Sequence, residues 1–281
     1  MKVKIISDST CDLSKDLIEK YSIAVVPLYV SLGDKIGADG IEIVPDDIYA
    51  FVDKNGKLPK TSAANYEDYL KVFTFWHEQG YEIVHFNISS EFSSSYNNAC
   101  MAAKEVGGAY VVDSRSLSTG QGLAVLHGAE LAQEGRSAKE IYEECTAITS
   151  KIEASFVVDS IDYLYKGGRC SALAAFGANL LKLKPCIELN DGKMHPGKKY
   201  RGIFSRVILN YVQERLTGRE DINKKRIFIT HTKCSADDVE AVRKKILEIC
   251  PDFEEIIETT AGCTVTSHCG PNTLGILFVR K

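Results

Sequence analysis

Short β-branched runs that break into hydroxyl-rich loops and then into helices constrain this chain more than any other feature. Residues 2–7 form one such run, followed by Asp8-Ser9-Thr10-Cys11-Asp12 and a helix expected over residues 13–21. The order recurs with a strand at 82–88, the loop Ser89-Ser90 and a helix over 93–106. It recurs again with a strand at 109–112, the loop Asp113-Ser114 and a helix over 116–133. Ser, Thr and Asp directly after a strand are helix-capping residues. Strands and helices that alternate in this way build parallel β-α-β units with right-handed crossovers. Between the first two units lie a strand at 22–30, a helix opened by Pro45-Asp46-Asp47 and ended at Asn55-Gly56-Lys57, and a helix over 65–79.

The second half changes rhythm. Residues 155–158, 226–231, 254–259 and 274–280 read as strands. Residues 203–216 read as a helix, and residues 235–249 as another, with an apolar stripe at Val239, Val242, Ile246 and Ile249. Asn190-Asp191-Gly192 between two extended runs is a hairpin turn, so pairing here includes antiparallel strands. The expectation is an α/β chain of two lobes. A parallel, Rossmann-like lobe spans residues 1–153, and a mixed or antiparallel α/β lobe spans residues 154–281, without a Pro- or Gly-rich linker between them.

Lys plus Arg is 34 and Asp plus Glu is 38, so the net charge of −4 lacks the basic surplus of nucleic-acid binders. No apolar run approaches the ~20 residues of a membrane span, so no stable membrane insertion is expected. The N-terminus carries two lysines but no long apolar region, and reads as a strand instead of a signal peptide. Nine cysteines, an odd number without a C-x-x-C pair, speak against a disulfide framework or a zinc ribbon and fit a reducing cytoplasm. No metal and no cofactor are expected.

Ligands of open α/β sheets bind beyond the carboxyl ends of the strands. Asp8-Ser9-Thr10, Thr61-Ser62, residues 89–95 and residues 113–118 should gather there, and hydroxyls with free helix amides make an anion cradle. Ser93-Ser94-Ser95 is the sharpest instance, although capping alone explains any single loop. His268 reads as part of a tight loop, Ser267-His268-Cys269-Gly270-Pro271, with a positioned donor. His85 and His231 fall in strands and read as structural. Lys166-Gly167-Gly168-Arg169 lacks the spacing of a phosphate loop and reads as a helix-ending turn with solvated charges. In Lys198-Lys199-Tyr200-Arg201-Gly202 one cation could turn inward toward an anion. The small, apolar residues 173–181 leave room for a cavity or for close helix packing. The pairs Asp46-Asp47 and Asp8 with Asp12 read as caps. These residues describe an α/β protein with an anion pocket and leave the anion open.

An ordered set of blocks closes that gap. Ser7-Asp8-Ser9-Thr10-Cys11-Asp12-Leu13, Lys60-Thr61-Ser62, Ser89-Ser90-Glu91-Phe92-Ser93-Ser94-Ser95-Tyr96 and Val112-Asp113-Ser114 with Ser118-Thr119-Gly120-Gln121-Gly122 appear in sequence. Leu164-Tyr165-Lys166-Gly167-Gly168-Arg169, Leu183-Lys184-Pro185 and His268-Cys269-Gly270-Pro271 follow. In content and order the set resembles the DegV family of fatty-acid-binding proteins, and it runs from residue 7 to residue 275. Ser94 stands where the family has Gly, Ser95 where Thr is common, Ala64 at a common proline position, and Asn272 in place of a second Gly.

The resemblance implies two α/β lobes with one acyl chain buried between them. A long-chain fatty acid would place its carboxylate against Thr61, Ser62, Ser93 and Ser94, with His268 and Arg201 nearby. Its tail would run along a tunnel whose candidate wall residues are Ile161, Leu164, Leu173, Phe176 and Leu180. Certain relatives are binding subunits of a bacterial fatty acid kinase, so the resemblance also implies a non-catalytic chain that holds the acid for a separate ATP-binding subunit. Each buried CH₂ is worth ~0.8 kcal/mol, so a tail of about 15 contributes roughly 12 kcal/mol gross. Association and ordering oppose this by ~4–15 kcal/mol, so tail burial carries most of the affinity while the headgroup contacts orient. Two other readings use the same loops: a serine hydrolase acting on acyl esters through Ser93 and His268, which lacks a G-x-S-x-G elbow, and a small-anion-binding protein.

Overall fold

A computed structural model of the chain describes residues 2–170 and 183–281. Leu173, Phe176 and Leu180, expected along the tunnel, lie outside the described residues. The first lobe opens with β1 (Lys2–Asp8) and β2 (Ala24–Val26), continues through the short strands β3 (Tyr29–Leu32), β4 (Lys35–Ala38) and β5 (Lys60–Ser62), and ends with β6 (Tyr81–Asn87) and β7 (Ala109–Asp113). Its main sheet has the order β2-β1-β6-β7 and is parallel throughout. The helices are α1 (Lys15–Lys20), α2 (Pro45–Asn55), α3 (Tyr66–Glu78), α4 (Ser95–Val106), α5 (Thr119–Gln133) and α6 (Ala138–Thr149). Local chemistry sets their ends. Asn65 and Asp68 form a capping box on α3, Ser137 and Glu140 form one on α6, and Gly56 closes α2 at φ +62.

The second lobe contains β8 (Ile152–Val158), α7 (Asp162–Gly167), β9 (Lys184–Asn190), β10 (Lys193–Tyr200), α8 (Phe204–Leu216), β11 (Ile222–Thr232), α9 (Ala236–Ile249), β12 (Glu255–Thr260), α10 (Cys263–Cys269) and β13 (Thr273–Arg280). Its mixed sheet has the order β10-β9-β8-β13-β11-β12. Asp191 and Gly192 sit at φ +50 and +78 between β9 and β10, the positive pair that a two-residue hairpin turn requires. β8 starts at Ile152, so a lobe boundary at 153/154 cuts into a strand of the second sheet.

The fold class is the one expected, with three local differences. The strand expected over 22–30 is two strands in two sheets, because Pro27 lacks an amide proton and breaks the ladder between β2 and β3. The antiparallel sheet β4-β3-β5 is additional, and it places Thr61 in a strand opposite Val30 instead of a loop. His268 lies in the last turn of α10, not in a loop.

α5 is one of the helices that join the lobes. It is mostly apolar and buried along most of its length, as expected of a helix enclosed by protein. It touches β1 and β6 of the first sheet and β8 and β13 of the second. Gly128 lets it approach β6, where a methyl group at this position would fall 2.6 Å from the Phe86 ring. Val84, Phe86 and Val125 accordingly share one core with Ala154, Phe228 and Leu277.

Candidate functional site

The strand ends of the first lobe are organised by a buried carboxylate. Asp8 Oδ1 accepts from Thr10 N (3.0 Å), Thr10 Oγ1 (2.5 Å) and Gln121 Nε2 (2.9 Å). Its Oδ2 accepts from Ile88 N (2.8 Å) and Asn87 Nδ2 (3.1 Å). Burial raises its pKa against the pull of these hydrogen bonds. The opening motif is therefore a joint between β1, the end of β6 and α5.

Two further carboxylates hold α10. Asp12 Oδ1 accepts from Gly262 N (2.8 Å), and Asp12 Oδ2 from Ser118 Oγ (2.5 Å). Asp39 accepts from Cys263 N (2.8 Å), Thr264 N (3.1 Å) and Ser9 Oγ (3.1 Å). The first amides of this seven-residue helix are thus satisfied by residues more than 220 positions away, which fixes the helix that carries His268.

Burial, outweighing its two hydrogen bonds and reinforced by Asp39 and Asp8, pushes the Asp12 carboxyl up to about 8. An ordinary carboxyl titrates near ~3.9, so between that value and about 8 the folded state binds more protons than the unfolded one. Stability should therefore decline as pH rises through this window. Asp12→Asn, which mimics the protonated acid, should flatten the decline, and urea unfolding of both proteins at several pH values will compare the slopes. Equal slopes would contradict the assignment.

Between α10, the small sheet, the start of α4 and the β9–β10 hairpin lies a cavity of ≈160 Å³. Its polar lining residues are Thr61, Ser62, Ser93, Ser94, His268 and Arg169, and Thr264 adds a further hydroxyl. Its apolar lining residues include Leu28, Ile88, Phe92, Leu117, Met194 and Val265. Leu117, Val265 and Cys269 also line a second cavity of ≈30 Å³, with Phe156 and Leu277 among its apolar lining residues and Ser118, Thr230, Thr232 and Thr273 among its polar ones. His268 Nε2 lies 2.8 Å from Thr61 Oγ1. Burial, and then the Arg169 charge, lowers the imidazole pKa to about 4, so the ring is neutral at physiological pH. Ser93 Oγ lies 2.9 Å from Ser95 Oγ, at the entry to α4.

Of the residues expected from sequence, Thr61, Ser62, Ser93, Ser94 and His268 meet in this cavity. Arg201 does not. Both arginines are exposed, but Arg169 is in the described lining and Arg201, just before α8, is not. Arg169 follows the left-handed Gly168 (φ +69) at the end of α7, donates to the Gly167 carbonyl (2.8 Å), and its charge acts on His268. Ile161 and Leu164 are buried in the cluster that surrounds the cavity, together with Ile88, Leu117 and Met194, but are not in the described lining. Asn272 adopts φ +53, the left-handed conformation that asparagine tolerates. His85 is enclosed by Tyr69 and Phe73, and burial lowers its pKa to about 3. Among the described residues there is no group of side chains suited to a metal, and no helix is long and apolar enough to cross a membrane.

The fold and cavity define a two-lobed α/β protein with a cavity at the lobe junction lined by hydroxyls and by apolar side chains. The chain belongs to the DegV family: the family model described as "Uncharacterised protein, DegV family" matches residues 2–281. A fatty acid-binding protein of Thermotoga maritima is 34% identical over 287 residues, covering 98% of this chain and 96% of that protein. A fatty-acid-binding DegV family protein of Thermus thermophilus superimposes with a TM-score of 0.90 at 30% identity, over 100% of both chains. A stearic acid-binding protein of Eubacterium ventriosum gives 0.83 at 29% identity, over 100% of this chain and 99% of that one.

Proposed function

We propose that this protein binds a long-chain fatty acid, with its carboxylate held at Thr61 and Ser93 and its tail in the apolar slot. The observation that carries the reading is that one cavity at the lobe junction is lined by two kinds of side chain. Hydroxyls, a neutral imidazole and one guanidinium line it together with aliphatic and aromatic side chains, and Leu117 and Val265 of the apolar set also line the second cavity. Such a wall fits a ligand with one charged end and an alkyl body. Thr61, Ser62, Ser93 and Ser94 supply short neutral donors, and Arg169 supplies the compensating charge. The relatives described as fatty-acid binders add independent support.

The reading extends to presentation of the bound acid to a separate ATP-binding kinase subunit, which would phosphorylate the carboxylate to an acyl phosphate. In that arrangement this chain is non-catalytic, works in the cytoplasm and needs no cofactor. The hydrolase alternative requires a base on Ser93. Ser93 Oγ pairs with Ser95 instead, His268 pairs with Thr61, and no carboxylate orients the ring among the described residues.

Solvent extraction of purified protein, followed by lipid mass spectrometry, tests the core of the reading. One long-chain acid per protein is expected. Thr61→Val paired with Ser93→Ala should lower retention by about 10²-fold, the loss of two charge-assisted hydrogen bonds at ~1.5 kcal/mol each. A protein that elutes without lipid and takes up none from a fatty-acid suspension would refute it. Formation of acyl phosphate after adding a cognate kinase subunit, ATP and magnesium tests the extension separately.

A further inference from the structure

Two adjacent glycines end α7 for different reasons. Gly168 adopts φ +69 and has nothing within 4 Å of the place a methyl group would occupy, so it serves the backbone turn. Gly167 has an ordinary helical backbone, yet a methyl group on it would fall 2.5 Å from His268 Nδ1 and 3.4 Å from Cε1. Contact with the imidazole, and not conformation, excludes a side chain here.

The same contact decides the chemistry of the ring. Nδ1 is buried and has no hydrogen-bond partner among the described residues, while Nε2 meets Thr61 Oγ1 at 2.8 Å. A neutral imidazole carries one proton. Placed on Nδ1, it would make a buried donor facing a glycine, with no acceptor, and Nε2 would consume the Thr61 proton. Placed on Nε2, it is donated to Thr61 Oγ1 and leaves only an unused lone pair on Nδ1. The bond made by one ring nitrogen fixes the state of the other, and an orphaned buried donor is the costlier defect. A hydroxyl can accept one hydrogen bond and donate another, so the second arrangement frees the Thr61 proton for the cavity.

We propose that Gly167 is a positioning residue: by closing off Nδ1 it fixes His268 as the Nε2–H tautomer, which makes Thr61 an obligate donor toward an acceptor-only headgroup, a carboxylate. The identity of that headgroup rests on the fatty-acid reading, whereas the tautomer is a property of the protein without ligand. The relay runs from His268 Nε2–H to Thr61 Oγ1 and from Thr61 O–H to the ligand oxygen. Arg169, on the same wall, supplies charge without competing for the Thr61 proton.

Two-bond proton–nitrogen correlation spectra of the delipidated full chain, labelled with ¹⁵N-histidine and assigned with His268→Gln, test this directly. The Nε2–H pattern is expected at His268, and an Nδ1–H pattern would overturn the proposal. Gly167→Ala keeps a helix-compatible residue and should displace the ring, giving mixed tautomers and about tenfold weaker retention of a long-chain carboxylate. Retention of the matching fatty alcohol should change less than that of the acid. An unchanged tautomer, or an equal loss for acid and alcohol, would overturn the positioning role. Gly168→Ala strains the turn but leaves the ring unobstructed, and should lower Tm while preserving the Nε2–H pattern. A wild-type protein that shows Nε2–H yet takes up no lipid would refute the fatty-acid reading and leave the tautomer assignment standing.

Discussion

Asp8→Ala should destabilise the protein by at least ~4 kcal/mol, enough to lower Tm by roughly 10 °C in a chain of this size. The substitution removes the acceptor of five hydrogen bonds donated by Thr10, Gln121, Asn87 and Ile88, all within a buried joint. Each buried donor left unpaired costs about 1–3 kcal/mol, and not all of them can find substitutes. Thr10 Oγ1 retains Gln121 Oε1 at 2.8 Å, and Asn87 retains Tyr69 Oη at 2.9 Å. The amide protons of Thr10 and Ile88 have nowhere to turn. Asp8→Asn is the sharper version, because it preserves volume. The Asn87 amide can present its unpartnered Oδ1 to the new NH₂, but the Ile88 amide then faces a donor, so a loss of about 3 kcal/mol is expected. Urea unfolding followed by circular dichroism measures both, and a change below ~1 kcal/mol in Asp8→Ala would show that the joint is not needed.

The same joint shows what could be read from sequence. β1, β6 and β7 were legible because buried parallel strands are short β-branched runs, and the residues that cap the following helices are chemically distinctive. Thr61 and His268 are 207 positions apart, and no periodicity links them. They came together in the sequence reading only through resemblance. The small sheet was illegible because strands of three or four residues carry no alternation to detect. α10 was illegible for another reason. Its residues, Cys263 to Cys269, include two threonines, a valine and a serine, which are weak helix formers. It is helical because Asp12 and Asp39 satisfy its first amides from the other end of the chain. The choice of cation followed the same pattern: Arg169 and Arg201 both stand in basic, glycine-containing segments with a positive-φ glycine beside them, and only the folded chain shows which one lines the cavity.

A carboxylate placed in the cavity should weaken lipid retention about 10²-fold, and Val265→Asp is the most discriminating place for it. Val265 lines both cavities, so a tail that extends from one into the other would pass beside it. It is partly buried and packs against the surrounding cluster, whereas Leu117, which also lines both cavities, is a buried member of that cluster and its loss would cost more of the core. An ionised side chain there would keep its hydration and hold water in the slot. Four methylenes left wet would forfeit ~3 kcal/mol at ~0.8 kcal/mol each, about 10²-fold in Kd. Repulsion of the fatty-acid carboxylate adds to this only at the headgroup end. Val265→Asn, which is polar but uncharged, should fall between wild type and Val265→Asp if desolvation is the cause. Native mass spectrometry with a series of acids of increasing length measures the effect. The loss should grow with chain length, because only longer tails reach past Val265. A uniform loss across the series would place Val265 beside the headgroup instead of the distal tail, and undiminished occupancy in Val265→Asp would separate the two cavities from the ligand altogether.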